Sequence, residues 1–175
     1  MWPARAWHIY EYFIRQTAGL GTAPTGPDPD QYDKMNAHCD VLVVGGGPAG
    51  LAAALGAMRA GARVILADEQ NQPGGWLLNE NQKIDGAPAL DWVERATQEL
   101  LDAVDTHLLK HTTAFGYYDH NFIGLCQHLG EIPSNGSTRS RQRIWRVRAK
   151  QVILSTGSIE RPLVFADNDR PGVML

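Results

Sequence analysis

Residues 41–58, "VLVVGGGPAGLAAALGAM", form a run of 18 uncharged positions, enough on hydropathy alone for a membrane span. Glycines 45, 46, 47, 50 and 56, with Pro48, break it, because glycine and proline are the residues a helix bears worst. Two elements result. Asp40–Val44 reads as a strand whose four consecutive aliphatics leave no polar face, so it needs cover on both sides, as in a parallel sheet. Pro48–Ala60 reads as an alanine- and leucine-rich helix stopped by Gly61, and "ARVILADE" adds a second strand ending in two carboxylates.

A G-x-G-x-x-G pattern alone is weak; between a strand and a helix, with an acid after the second strand, it is strong. Gly45 permits the tight turn, Gly47 lets a pyrophosphate approach the backbone, and Gly50 lets helix and strand pack closely. Free N–H groups and the dipole at the helix start favour phosphate. Asp68, eighteen residues after Gly50, stands where a carboxylate would accept hydrogen bonds from a ribose diol. The competing reading is a turn without a ligand. A P-loop is excluded because no Lys-Ser or Lys-Thr follows the glycines, and Asp68 with Glu69 would repel a 2′-phosphate. NAD and the ADP half of FAD both fit this pattern.

Composition agrees with one globular domain or part of one: 175 residues, 43% hydrophobic and 20% charged. Residues 4–18 place Trp7, Tyr10 and Ile14 at helical spacing ahead of Gly19 and Gly21, and Arg5, Glu11 and Arg15 leave no signal-peptide core. Pro24, Pro27 and Pro29 mark an extended linker. The expected organisation is therefore a helix and linker over residues 1–37 and a nucleotide domain over 38–175. Gly74 and Gly75 in "NQPGGWLL" form a second turn that could face the pyrophosphate, with a plain surface turn as the alternative. Residues 87–104 read as a crossover helix with Leu90, Val93, Leu100, Leu101 and Val104 inward, and "THLLKHTTAF" as a third strand.

Tyr117–Gln127 and Arg143–Lys150 read as an antiparallel pair joined by a polar loop with an Asn135-Gly136 turn. In "WRVRAK", Trp145, Val147 and Ala149 alternate with water-facing Arg146, Arg148 and Lys150. Net charge −3 and a pI near 6.0 argue against a nucleic-acid partner for those cations. "QVILSTG" is a last parallel strand that brings Thr156-Gly157 back to the cofactor side. The fold class is α/β, a glutathione-reductase-like Rossmann dinucleotide-binding domain with a parallel sheet and an antiparallel β-meander, expected to be incomplete.

Chemistry is harder to find. Cys39 and Cys126 form no C-x-x-C, the six histidines form no ligand motif, and Ser155-Thr156 lacks a glycine elbow. No catalytic residue and no metal site are expected.

The segments "YEYFIRQTAGLGTAPTGPDPDQYDKMNAHCDVLVVGGGPAGLAAA", "ADEQNQPGGWLL", "GYYDHNF" and "RIWRVRAKQVILSTGSIERPLVFADNDRPGVML" resemble the alpha subunits of heterotetrameric sarcosine oxidases. The likeness covers essentially the whole chain, and the linker and "HCDVLVVGGGPAG" are more specific than the glycine fingerprint. It implies oxidative demethylation of sarcosine to glycine by a cytoplasmic complex, with methylene-tetrahydrofolate and hydrogen peroxide as further products. Beta, gamma and delta subunits would be the partners, with no membrane and no nucleic acid. NAD would sit in this chain, with FAD as the alternative; FAD and a covalent FMN near the alpha–beta interface would belong to the beta subunit. Runner-up readings are a subunit of an FAD-dependent amine or imino-acid dehydrogenase or reductase, and a non-catalytic assembly module.

Carried onto matching positions, the resemblance puts Gly45, Gly47, Pro48, Ala49 and Gly50 at the phosphates and Asp68, Glu69 and Gln70 at the adenosine ribose. Gly74, Gly75 and Trp76 would lie beside the phosphates, Phe115 near the adenine, and Thr156 and Gly157 at the closing turn. It also implies an internal piece of a longer chain, with sheet strands supplied from elsewhere and no sarcosine oxidation by this piece alone.

Overall fold

A computed structural model describes residues 7–19, 25–26, 31–130, 140–158, 164–168 and 170. By contacts the chain divides into residues 1–30 and 31–175. In the first unit, helix α1 (Trp7–Thr17) presents Trp7, Tyr12, Phe13 and Ile14 in exposed positions, tied by an Arg15–Glu11 ion pair of 3.1 Å, one turn apart. Gly19 follows with φ 66°, a left-handed stop available to glycine at no steric cost.

The second unit holds β1 (Tyr32–Val44), α2 (Pro48–Arg59), β2 (Val64–Ala67), a short hairpin of β3 (Lys83–Ile84) and β4 (Ala87–Pro88), and α3 (Ala89–Asp102). β5 (Thr106–Leu109), β6 (Thr112–Tyr118), β7 (Phe122–His128) and β8 (Gln142–Leu154) follow. The main sheet has the order β5-β2-β1-β8-β7-β6. β5, β2, β1 and β8 are parallel, while β7 and β6 continue the sheet antiparallel.

The central strands are covered on both faces, as their aliphatic runs require. Val43, Val64 and Leu66 pack with Leu51 and Ala54 of α2 and with Val93, Ala96 and Leu100 of α3. On the opposite face Leu42, Val44, Ile65 and Ala67 pack with Ile123 and Leu125 of β7 and Val147 and Ala149 of β8. Cys39 belongs to this second core, where burial pushes its thiol up to about 11 and keeps it a thiol at neutral pH.

Several boundaries differ from the sequence expectations. β1 begins at Tyr32, ahead of the expected domain start at His38, because residues 32–39 pair in register with 142–149 of β8. That pairing brings together segments about a hundred residues apart, so the local composition, polar and proline-flanked, gave no sign of it. The antiparallel strand expected over Tyr117–Gln127 is a hairpin of β6 and β7. Its turn puts His120 (φ 60°) and Asn121 (φ 51°) in left-handed conformations, which asparagine and histidine tolerate better than most residues. The third strand ends at Leu109, and Phe115 therefore lies within β6. α3 buries Ala89, Val93, Ala96 and Leu100 at the 3.6-residue period; Leu90, Leu101 and Val104 are exposed, Val104 lying past the helix end. In "QVILSTG", Gln151–Leu154 are the last four residues of one 13-residue strand, β8, and Ser155, Thr156 and Gly157 follow its end. The Asn135-Gly136 turn lies outside the described residues. Val147 and Ala149 are buried while Arg146, Arg148 and Lys150 are exposed, the alternation that the sequence shows.

An ion cluster joins β1 to β8 and to the start of β2. Asp40 of β1 receives Arg63 Nε at 2.9 Å and Arg63 Nη2 at 3.0 Å from the residue before β2, and Lys150 Nζ of β8 at 2.8 Å. These cations hold the Asp40 carboxyl well below the usual carboxylate range, Arg63 contributing most. A folded-state pKa that is depressed gives stability that is present above the unfolded value, about 4, and is lost as pH falls through the folded one. Asp40→Asn is therefore expected to lower Tm by a few degrees at pH 7, and by progressively less as the pH is taken below about 4. Thermal melts of the two proteins from pH 7 to pH 2 read this directly; a Tm difference independent of pH would refute it.

Candidate functional site

The loop between β1 and α2 is held by close backbone approaches. Gly45 has φ 103°, and a Cβ there would stand 2.3 Å from the Ser155 carbonyl oxygen at the end of β8. A Cβ on Gly50 would meet the Gly45 carbonyl oxygen at 1.8 Å. Neither position can carry a side chain without moving backbone, so the first and third glycines are fixed by packing. Gly47 differs: a Cβ there meets nothing within 4 Å, so its face looks into open space. Gly47 is also the N-cap of α2, with no capping side chain, and Pro48 follows at the first helical position. The N-terminal N–H groups of the helix are thus left for another acceptor.

Two further segments frame this space. Gly74 donates its N–H to the Gly46 carbonyl at 2.8 Å, and a Cβ on Gly75 would lie 3.0 Å from the Gly47 Cα. The glycine pair expected to face the pyrophosphate therefore abuts the glycine loop. From the other side Ser155 donates to the Val44 carbonyl at 2.8 Å, and Thr156 and Gly157 continue from it as exposed residues. At the end of β2, Asp68 is buried and bonded to the loop, whereas Glu69 and Gln70 are exposed. Ala49 and Trp76 are exposed as well.

Phe115, expected near the adenine, lies in the meander. It is half-exposed on β6, and its ring covers Gly124 of β7, where a Cβ would come within 2.5 Å of the ring. It packs as part of the meander. Two residues without an assigned role take part in the loop's geometry: Gly46, whose N–H donates to the Asp68 carboxylate, and Ser155, whose carbonyl crowds Gly45. Both roles depend on partners far along the chain, so neither is written in the local sequence.

What the loop can do is bind an anion with a flat approach to backbone. The open Gly47 face, the uncapped helix start and the glycine pair at residues 74–75 fit the diphosphate of a dinucleotide. A family model described as FAD dependent oxidoreductase matches residues 40–127, which contain the loop, the crossover and the hairpin.

The chain belongs to the FAD-dependent oxidoreductase family.

Within this family it is 50% identical over 177 aligned positions to the sarcosine oxidase alpha subunit of Rhizobium meliloti (strain 1021), covering 100% of this chain and 18% of that one. It is 51% identical to the corresponding protein of Corynebacterium sp. (strain U-96), over 90% of this chain and 17% of that one. An opine oxidase subunit from Agrobacterium tumefaciens (strain Ach5) is 30% identical over 77% of the chain and 27% of its own length. The chain thus spans less than a fifth of the sarcosine oxidase relatives it matches. Among solved structures, L-proline dehydrogenase from P. horikoshii superposes with a TM-score of 0.59 at 26% identity, over 85% of this chain and 28% of that one. The resemblance drawn from the sequence therefore holds at half identity along the whole chain. No described helix is long and apolar enough to cross a membrane, and the uncharged run 41–58 is strand, loop and helix instead.

The loop geometry predicts a sharp contrast between two glycines of this FAD-dependent oxidoreductase family member. Gly50→Ala is expected to cost about 3 kcal/mol or more, because Cβ would overlap the Gly45 carbonyl. Gly47→Ala, with ordinary dihedrals and open space, is expected to change stability by less than about 0.5 kcal/mol. Urea titrations of both variants measure this; equal losses would contradict the packing account.

Proposed function

We propose that this chain is the dinucleotide-binding part of the alpha subunit of a sarcosine oxidase, contributing a nucleotide site to a complex that oxidises sarcosine to glycine. The observation that carries the reading is the half identity to sarcosine oxidase alpha subunits over the whole chain, glycine loop included. The open Gly47 face supports the binding role. In this reading the loop of Gly45, Gly47, Pro48, Ala49 and Gly50 takes the diphosphate, flanked by Gly74, Gly75 and Trp76 on one side and Thr156-Gly157 on the other. The adenosine lies toward residues 68–70.

NAD is the proposed occupant, on the resemblance; FAD is the second reading, favoured by the family description. Either dinucleotide supplies hydride-accepting chemistry when bound. The chain's own residues orient it: the loop N–H groups hold the diphosphate, and the carboxylates after β2 disfavour a 2′-phosphate by charge. Beta, gamma and delta subunits in the cytoplasm are the proposed partners, with sarcosine chemistry completed at a flavin carried by the beta subunit. The opine oxidase relative and the structural neighbour L-proline dehydrogenase support an amine or imino-acid substrate more generally.

Denaturing the purified chain and identifying the released nucleotide by absorbance and mass tests the proposal. NAD is the expected product, Gly47→Ala is expected to bind it about tenfold more weakly or worse, and release of FAD would move the assignment to the second reading. A chain that binds neither dinucleotide would overturn the function.

A further inference from the structure

Strand β8 carries four cations, Arg143, Arg146, Arg148 and Lys150, and neither β8 nor its neighbour β7 contains an aspartate or glutamate. β1 answers two of the four: Asp33 accepts from Arg143 Nε at 2.8 Å, and Asp40 lies 2.8 Å from Lys150 Nζ. Opposite the other two, the register places Asn36 beside Arg146 and His38 beside Arg148. Val147, Ala149 and Cys39 are buried in one core with Ala37 packed against it, so Arg146, Arg148, Asn36 and His38 share the outer face of the sheet. All four are exposed there. Lys34, exposed on the same face of β1, sits diagonally from Arg146. Among the described residues none of Lys34, Arg146 and Arg148 has a carboxylate partner.

Arg148 is held in place by its neighbours. Its guanidinium lies 5.4 Å from the ring centroid of Phe122 on β7, and Nη1 reaches the His120 carbonyl at 3.5 Å. Phe122 in turn packs against Tyr118 with ring centroids 5.9 Å apart, and the Phe115 ring covers Gly124, the β7 residue opposite Arg146. Tyr118 and Phe115 are 53% and 56% exposed. Arginines beside exposed aromatic rings are the composition of a binding surface more than of an ordinary solvated one.

We propose that this outer face of β1, β8 and β7 docks an extended acidic segment of a partner protein, with carboxylates at alternate positions that meet Arg146 and Arg148. Two residues apart on one face of a strand, the arginines stand about 7 Å from each other, the distance at which alternate side chains recur along an extended chain. Each guanidinium can then take one carboxylate through two parallel N–H bonds, and Lys34 adds a point charge beside them. The chain carries a net charge of −3, so the surface beyond these three cations is acidic on balance. A nucleic acid or an anionic membrane engages cations over a much wider area and would meet that acidic remainder, whereas a short acidic segment would not. Arg146 stands about 30 Å before Ser155 at the usual strand rise, so docking here and nucleotide binding at the glycine loop stand or fall separately.

The test uses the purified chain at low ionic strength and a fluorescein-labelled peptide of alternating glutamate and threonine, read by fluorescence anisotropy. One control peptide has glutamine in place of glutamate, and another spaces the same glutamates at every third residue. The alternating acidic peptide is expected to bind about tenfold more tightly than the glutamine form and several-fold more tightly than the respaced one. Arg146→Gln and Arg148→Gln are each expected to weaken it about fivefold, the effect of one exposed ion pair. Lys83→Gln, which removes an exposed cation on β3, is expected to leave it unchanged.

The side chains of Arg146 and Lys34 make no hydrogen bond or ion pair among the described residues, so Arg146→Gln and Lys34→Gln should keep the wild-type Tm. If Arg148→Gln loses its cooperative melt, these two variants decide the outcome. Equal affinity for the acidic and glutamine peptides, equal affinity for the respaced peptide, or wild-type binding by both arginine variants would overturn the proposal. A single-stranded oligonucleotide or a phosphatidylserine vesicle that binds more tightly than the acidic peptide, and is released by the same variants, would give the face to a polyanion and overturn it too.

Discussion

Backbone meets backbone at Gly45, and the rest of the site follows from that approach. The end of β8 comes so close that any Cβ on Gly45 would overlap the Ser155 carbonyl, while α2 starts so close that any Cβ on Gly50 would overlap the Gly45 carbonyl. The β1–α2 loop and the end of β8, from distant parts of the chain, share one small volume with the helix start because Gly45 and Gly50 have no side chains there. The helix start is thereby placed directly at the ends of the parallel strands, where an open doubly wound sheet binds its ligands. Among the loop glycines Gly47 alone faces outward with room to spare, and this contrast between filled and open glycines separates the supporting role of the loop from the binding role proposed for it.

The features legible in the sequence were those whose cause is local. Aliphatic Val41–Val44, the glycine turn, the alanine-rich helix and its stop at Gly61 are each specified by neighbours within a few residues, and the structure has them at nearly the expected bounds. The alternation of β8 was also visible, because a half-buried strand writes its two faces into every second residue. Less visible was whatever depends on a distant partner. Tyr32–Ala37 becomes strand by pairing with 142–147, and its largely exposed pattern carries no hydrophobic alternation to announce it.

The same distinction explains the site. Gly45, Gly47 and Gly50 could be assigned tasks from spacing because the motif is a local geometric solution. Asp68 reads only as an acid after the second strand, since one of its two backbone donors, Gly46, lies 22 residues away and shows no special chemistry in the sequence. Phe115 was placed with a third strand that ends earlier; Lys110 and His111, the latter at φ 51°, turn the chain into the meander first. Leu90 and Leu101 read as inward in the sequence, yet the buried stripe of α3 runs through Ala89, Val93, Ala96 and Leu100, two of them small residues that let the helix pack closely.

Register links these observations. β1 and β8 run side by side for 13 residues each, about 40 Å of strand at the usual rise, and both ends of that ladder matter. The early half carries the meander on its far side, since β7 pairs with β8 from Gln142 to Arg148; from Gln151 to Leu154, β8 pairs with β1 alone among the described strands. The late half delivers Ser155 to Gly45. A slip of one residue would move Ser155 by about 3.3 Å and exchange the faces of every side chain in β8. The Asp40 cluster sits between the halves, joining β1 to both its neighbours by charge, where the burial of Cys39 and Val147 is also decided. An exposed ion pair contributes little to stability by itself. One that fixes the register of three strands five residues before a glycine loop acts on the site through geometry, so Asp40, which touches no part of the loop, helps to determine whether Gly45 and Ser155 meet.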